Sequence, residues 1–266
     1  MKGMNKTMAW VAAALLLACT TSCLEGGSNS VESTTVGIIR RESKEGKMVM
    51  DNPFPYGPFY SPTLSKLNEG ACVLVHFTLD RDAAENSSTV VRSRGYSTVT
   101  ISAQAEVEKY RIARFSDPGA PDTGKVLKDE VPIKNPANLV RGYVRGYLFV
   151  EHVLNQPSDQ RNEWYLTYNP DAKAQTYLGK HTYDIYLRTT KRTAGTKTAV
   201  DMAVNSAYFI KNYFEEIARK EKSSGNNEAF YVRFNYVSGF QNGKPVWSRI
   251  ERAMPVQISD ILRNKG

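Results

Sequence analysis

The sequence predicts a mainly β protein of antiparallel barrel or sandwich units, with one inserted amphipathic helix at about residues 198–222. Three observations carry this prediction. Apolar and polar residues alternate with the period of a half-wet strand in several runs, as in Ser97–Val107. Clusters of Gly, Pro, Asn and Asp separate those runs. One segment, Thr198–Lys222, departs from the two-residue period for spacings of three and four.

Thr35–Arg40 is a β-branched run, and Gly46-Lys47 separates it from Met48-Val49-Met50, so residues 35–50 read as an early hairpin. Asp51–Pro58 holds three prolines and reads as a connection rather than a central strand. Leu67–Gly70 reads as a turn into a strand at Ala71–Leu79, with Val73, Val75, Phe77 and Leu79 on one face and Cys72, Leu74, His76 and Thr78 on the other. Asp80–Arg94 is polar and reads as a loop. In Ser97–Val107 the apolar face is Val99, Ile101, Ala103, Ala105 and Val107. Pro118, Pro121, Pro132 and Pro136 mark 117–138 as a linker between two β units.

Downstream, Tyr143–Leu154 reads as one long strand and Asn155–Asp159 as a turn. Trp164–Tyr168, Thr182–Thr189 and Phe230–Val237 read as further strands, with a weaker one at Val256–Ile261. In Thr198–Lys222 the stripe Val200, Ala203, Val204, Ala207, Ile210, Phe214 and Ile217 predicts the helix. Thr198 is its expected cap, Ser223–Asn227 its stop, and Glu215 with Arg219 an i,i+4 pair on the outer face. These readings divide the chain into 35–116, an N-terminal β domain, the linker 117–138, and 139–262, a C-terminal β-sandwich carrying the helix.

The first 23 residues give an address. Lys2 and Lys6 precede an apolar run, Ala9–Ala18, too short for a bilayer core and of the proportions of a secretory signal. Cysteines stand where small cleavage-site residues belong, an arrangement that resembles a bacterial lipobox. Leu16-Leu17-Ala18-Cys19 fits its usual form and Thr20-Thr21-Ser22-Cys23 its looser form, so Cys19 or Cys23 is the expected lipidation site. Residues 24–34, rich in Gly and Ser, read as a flexible tether. Multiple acyl chains hold a domain at a membrane where one binds only reversibly. The expected location is the cell envelope, at the outer membrane, with the membrane face open.

Composition limits the functional classes. The formal charge of +8 becomes +6 when Lys2 and Lys6 leave with the leader. Basic residues are dispersed, which reads as a solvated basic surface, and no nucleic-acid partner is expected. His76, His152 and His181 lie far apart with no metal-ligand spacing, so neither a metal nor a cofactor is expected. Cys72 and His76 share a strand residue spacing that leaves them well beyond hydrogen-bonding reach, and Cys72 reads as a buried, inert thiol. There is no G-x-S-x-G elbow, and no motif pairs the strand carboxylates Glu106, Glu108, Glu151 and Asp184. No catalytic residue is assigned.

The most distinctive local feature is a threefold Arg-Gly-Tyr: Arg94-Gly95-Tyr96, Arg141-Gly142-Tyr143 and Arg145-Gly146-Tyr147. Arginine beside an exposed aromatic can stack on sugars or contact anions, which makes Arg94, Tyr96, Arg141, Tyr143, Arg145 and Tyr147 candidate ligand contacts. The plainer alternative is that glycine relieves crowding at strand starts while tyrosine fills a cross-strand position.

A lipobox leader followed by Leu67–Leu79, then Gly146–Glu151, Trp164–Leu166, Tyr183–Arg188 and Phe230–Phe234, resembles the NigD-like lipoproteins of Bacteroidetes. The resemblance implies an OB-like N-terminal barrel followed by a sandwich. The family's aspartate-rich stretch after the lipidated cysteine is missing here, and the 198–222 helix reads as an insertion. No family catalytic residue transfers. The expectation is a non-enzymatic, lipid-anchored protein that binds an envelope protein or a glycan. One alternative is a fimbrial subunit matured at Arg40-Arg41, and another is an extracellular hydrolase.

Overall fold

A computed structural model describes residues 29–53, 55–134 and 140–263. The leader with Cys19 and Cys23 lies outside the described residues. The chain divides into two units: residues up to Glu108 with Arg141–Arg145, and Lys109–Val140 with the chain from Gly146 onward. Each is dominated by one curled sheet in the form of a half-barrel.

In the first unit the sheet runs β5-β3-β2-β1-β4-β6. The strands are β1 (Ser30–Arg41), β2 (Met48–Asp51), β3 (Phe59–Tyr60), β4 (Cys72–Asp80), β5 (Ser97–Thr98) and β6 (Thr100–Glu106). The early hairpin is present as β1 against β2, with Ile39 opposite Met50. Strand β1 begins earlier than the tether reading allowed, because Ser30–Thr34 pair with His76–Asp80 of β4. The alternation in β4 is realised: Val73, Val75, Phe77 and Leu79 join Ile39, Met48, Met50, Phe59, Leu64 and Val99 in the core. Cys72 is a buried thiol. The stretch read as a loop contains a short helix, α1 (Ser88–Arg94), which ends on Gly95.

In the second unit the path is β15-β14-β12-β10-β7-β13-β9, with β11 beside β12 and β16 beside β14. These are β7 (Glu108–Arg114), β9 (Tyr147–Pro157), β10 (Arg161–Tyr168), β11 (Gln175–Tyr177), β12 (Lys180–Thr193), β13 (Ala199–Phe209), β14 (Ala229–Gln241), β15 (Lys244–Arg249) and β16 (Met254–Gln257). Helices α2 (Lys211–Ser223) and α3 (Ile258–Arg263) complete it. Most pairings are antiparallel, but β12 lies parallel to β14 and β10 parallel to β7. Parallel neighbours need a long crossover, and β13 with α2 supplies the one from β12 to β14.

The helix prediction at 198–222 is corrected. Residues 199–209 are strand β13, paired antiparallel with β9 from Ala199↔Pro157 to Phe209↔Tyr147. Val200, Ala203, Val204 and Ala207 fit a helical stripe, but long cross-strand pairing overrides so weak a preference. The helix starts at Lys211 without a side-chain cap from Thr198. It buries Tyr213, Phe214, Ile217, Ala218 and Glu221, and ends at Ser224-Gly225 as expected. The outer Glu215–Arg219 pair forms at 2.8 Å.

Two further expectations change. Tyr143–Leu154 is broken by a tight turn at Arg145-Gly146, between β8 (Val140–Val144) and β9. The 117–138 linker is, over its described part, a strap held on the second sheet. Val131 N–H donates to Thr189 (3.0 Å), Ile133 to Val237 (2.8 Å) and Lys134 to Val153 (2.8 Å). The prolines marked an irregular path correctly, yet irregular backbone here finds its hydrogen bonds on strand edges.

Candidate functional site: a basic and aromatic cavity

Strand β7 was not foreseen, and it lines an open cavity of the second unit. Lys109, Tyr110 and Arg111 line a cavity of about 400 Å³ together with Tyr147 at the start of β9 and Phe209 at the end of β13. Antiparallel register sets Tyr147 opposite Phe209, and their rings meet edge to face at 5.2 Å. Gly146 makes that approach possible. Its φ of +88° belongs to the turn, and a Cβ there would stand 3.1 Å from the Phe209 ring and 3.0 Å from Lys211 Cβ. Tyr110 packs on the other side against Tyr208, at 5.8 Å between ring centres. Lys109 and Arg111 are exposed two residues apart on β7, and Arg111 has no ion pair among the described residues. The cavity therefore presents aromatic faces beside cations, a surface that can stack a sugar ring and pair with an anion.

Two ion pairs of this unit are closed off from solvent. Arg188 and Glu130 are fully buried and joined twice, Nε to Oε1 at 2.6 Å and Nη2 to Oε2 at 2.7 Å. The guanidinium also donates to the carbonyls of Asp122 and Lys125, both at 2.5 Å, and lies over the Trp247 ring. This one side chain thus fastens the strap to the sheet. Arg233 grips Asp184 through both oxygens, at 2.6 and 2.7 Å.

His152 lies wholly inside, stacked on Trp164 at 3.9 Å, with Nε2 at 2.5 Å from Ser206 Oγ. Ser206 in turn donates to the Tyr208 hydroxyl at 3.3 Å. The network fits Nε2–H donating to Ser206, leaving Nδ1 as a bare acceptor. Burial pushes the imidazole down to about 3, so it is neutral at ordinary pH. The same burial raises the Tyr208 phenol. A serine beside a histidine suggests hydrolytic chemistry, but both side chains are inaccessible to a substrate.

At the end of α2, Glu221 accepts from Tyr183 (2.5 Å), His181 Nδ1 (2.7 Å) and Asn226 (2.7 Å). Burial pushes its carboxyl up, yet the bonds from Tyr183, Asn226 and His181 outweigh it and hold the group below the usual carboxylate range. Tyr183 is raised by its burial and by this carboxylate. The cluster ties the helix end to β12. Among the described residues no three His, Cys, Asp or Glu side chains converge as metal ligands.

The six Arg-Gly-Tyr candidates fall into different roles. Tyr147 lines the cavity. Tyr96 is buried in the first unit, donates to Glu45 at 2.9 Å and lies under the Arg94 guanidinium, which is bound to the Glu85 carbonyl. Arg145 pairs with Asp51 at 2.8 Å, and Arg40 holds the same carboxylate at 2.9 Å. Arg141 and Tyr143 flank Gly142, where the Pro53 ring leaves no room for a Cβ. Within the first unit two of the repeat's glycines meet separate backbone demands, a helix end at Gly95 and a close approach at Gly142. Arg40-Arg41, the candidate maturation site, ends the inner strand β1, with Arg41 donating to the Gly46 carbonyl at 2.9 Å. Sequence reasoning missed Lys109, Tyr110, Arg111 and Phe209. The first three lie in a polar strand without an apolar face, and Phe209 was hidden by the helix reading.

Residues 27–105 match the family model of the lipoprotein OB domain. Among solved structures, a Parabacteroides merdae protein is similar over 85% of this chain and 99% of its own, with a TM-score of 0.71 and 20% identity. A candidate lipoprotein from Bacteroides fragilis is similar over 86% of this chain and 98% of its own, at TM-score 0.52 and 10% identity. A NigD-like immunity protein from Bacteroides caccae covers 84% of this chain and 93% of its own at TM-score 0.46 and 10% identity, too loose a likeness to argue from. No curated protein sequence matches the chain. The lipoprotein OB-domain match agrees with the OB-like N-terminal unit and the lipoprotein character that the resemblance implies, and at these identities the solved structures speak for fold alone.

Proposed function

We propose that the chain is a lipid-anchored protein of the outer membrane that binds an acidic glycan through the cavity of Lys109, Tyr110, Arg111, Tyr147 and Phe209, without transforming it. The observation that carries this reading is the pairing of accessible cations with aromatic faces in one cavity. Two arguments support binding rather than catalysis. The histidine–serine pair and the buried carboxylate Glu130 are sealed in the interior. The exposed cations of β7 offer charge, and the aromatic rings beside them offer stacking faces. The lipoprotein OB domain at residues 27–105 and the lipobox pattern at Cys19 or Cys23 support the anchor.

The test is calorimetric titration of the mature protein with acidic and neutral oligosaccharides of equal length. Binding restricted to the acidic members, and weakened about tenfold or more by Arg111→Ala, is the expected result, since a charge-assisted contact is worth about 1.5–3 kcal/mol. Equal binding of neutral members, or hydrolysis of any member, rejects the proposal.

A further inference from the structure

Two-residue turns with positive φ at both positions join β8 to β9, β11 to β12 and β14 to β15. Their residues are Arg145-Gly146 (φ 47°, 88°), Leu178-Gly179 (51°, 74°) and Asn242-Gly243 (50°, 72°). The first position of such a turn favours Asn, Asp or Gly, because other side chains are strained in the left-handed region. Asn242 is the ordinary choice. Arg145 departs from it, and its guanidinium is held by Asp51. Leu178 departs further and has no such compensation: its side chain is 81% exposed. A strained backbone position carrying a large apolar side chain into water is a local conflict, and such conflicts concentrate where a protein meets something else.

The surroundings of Leu178 indicate what it meets. Tyr177 flanks it on β11, Lys180 on β12 sits over the Tyr231 ring at 4.4 Å, and Lys173 is exposed just upstream. An apolar tip rimmed by tyrosine and lysine is the composition of a membrane interface, where the apolar group enters the acyl boundary and the cations meet anionic headgroups. We propose that the β11–β12 hairpin tip docks on an anionic lipid surface, with Leu178 inserted. This rests on the reading that the chain is lipid-anchored, which keeps such a surface within reach and makes one shallow insertion sufficient to orient the second unit.

The experiment uses the acylated full chain reconstituted in vesicles of phosphatidylethanolamine and phosphatidylglycerol. An environment-sensitive fluorophore is attached at Leu178→Cys and, in a second variant, at Asn242→Cys, with the labelled unsubstituted protein as blank. The expected result is a blue-shifted probe at 178, quenched several-fold more by nitroxide lipids than the probe at 242, and less so in zwitterionic vesicles. Protein that floats with the vesicles but keeps a wet probe at 178 overturns the docking alone and leaves the tip to a protein partner. Protein that neither floats nor carries acyl mass overturns the anchor and the docking with it. Circular dichroism of both variants shows whether either exposed substitution has disturbed the fold.

Discussion

Strand β12 and strand β7 belong to the same unit and carry the same kind of residue, yet they use it differently. On β12, Arg188 is fully buried and satisfied by Glu130 and two carbonyls, so its charge holds the 122–134 strap in place. On β7, Arg111 is exposed beside a cavity and has no carboxylate partner among the described residues. The difference shows how to read charge in this fold. An enclosed, fully bonded ion pair is evidence about folding, whereas an accessible cation beside aromatic rings is evidence about ligands.

The largest effect expected from this contrast is on β12. Arg188→Ala leaves the Glu130 carboxylate buried without its partner and should cost about 3–5 kcal/mol in denaturant unfolding. A cost below about 1 kcal/mol would place the pair among weak surface bridges and blur the contrast.

His152 sharpens it through pH. Its folded value, about 3, lies below the unfolded value of 6.5, so between the two the unfolded chain takes up a proton that the folded chain refuses. Stability is therefore complete above pH 6.5 and falls as pH drops from 6.5 toward 3, by at most about 5 kcal/mol. His152→Phe should flatten that part of the stability profile in urea titrations at stepped pH. A profile unchanged by the substitution would show that another group controls it.

On β7 the expectation reverses. Arg111→Ala should change stability by less than about 0.5 kcal/mol, as for an ordinary surface site, while removing the acidic-ligand affinity. Smallest is the turn: Leu178→Asn should raise stability by about 0.5 kcal/mol by relieving the left-handed strain, measurable as a small rise in thermal midpoint.

The fold was legible where one face of a strand is buried. The alternation of β4, the hairpin β1–β2 and the runs in β10, β12 and β14 announce themselves because each has a core side. Strand β7 was illegible because Glu108-Lys109-Tyr110-Arg111 has little apolar content to alternate, and that same polarity makes it a candidate site. Strand β13 was misread because its apolar residues fall at helical spacings, and the pairing to β9 that overrides this preference is not written in the local pattern. Of the site itself only Tyr147 was named in advance. A cavity assembled from β7, β9 and β13 depends on register, which no local pattern states.

The central claim is that the cavity on β7, not the buried ionisable clusters, receives ligand. The direct measurement is a calorimetric titration with an acidic oligosaccharide on the unsubstituted protein, on a Lys109→Ala/Arg111→Ala variant, and on His152→Phe. Binding that is lost in the double variant and retained in His152→Phe is the predicted result. Binding that survives the double variant, or disappears with His152→Phe in a folded protein, would contradict it.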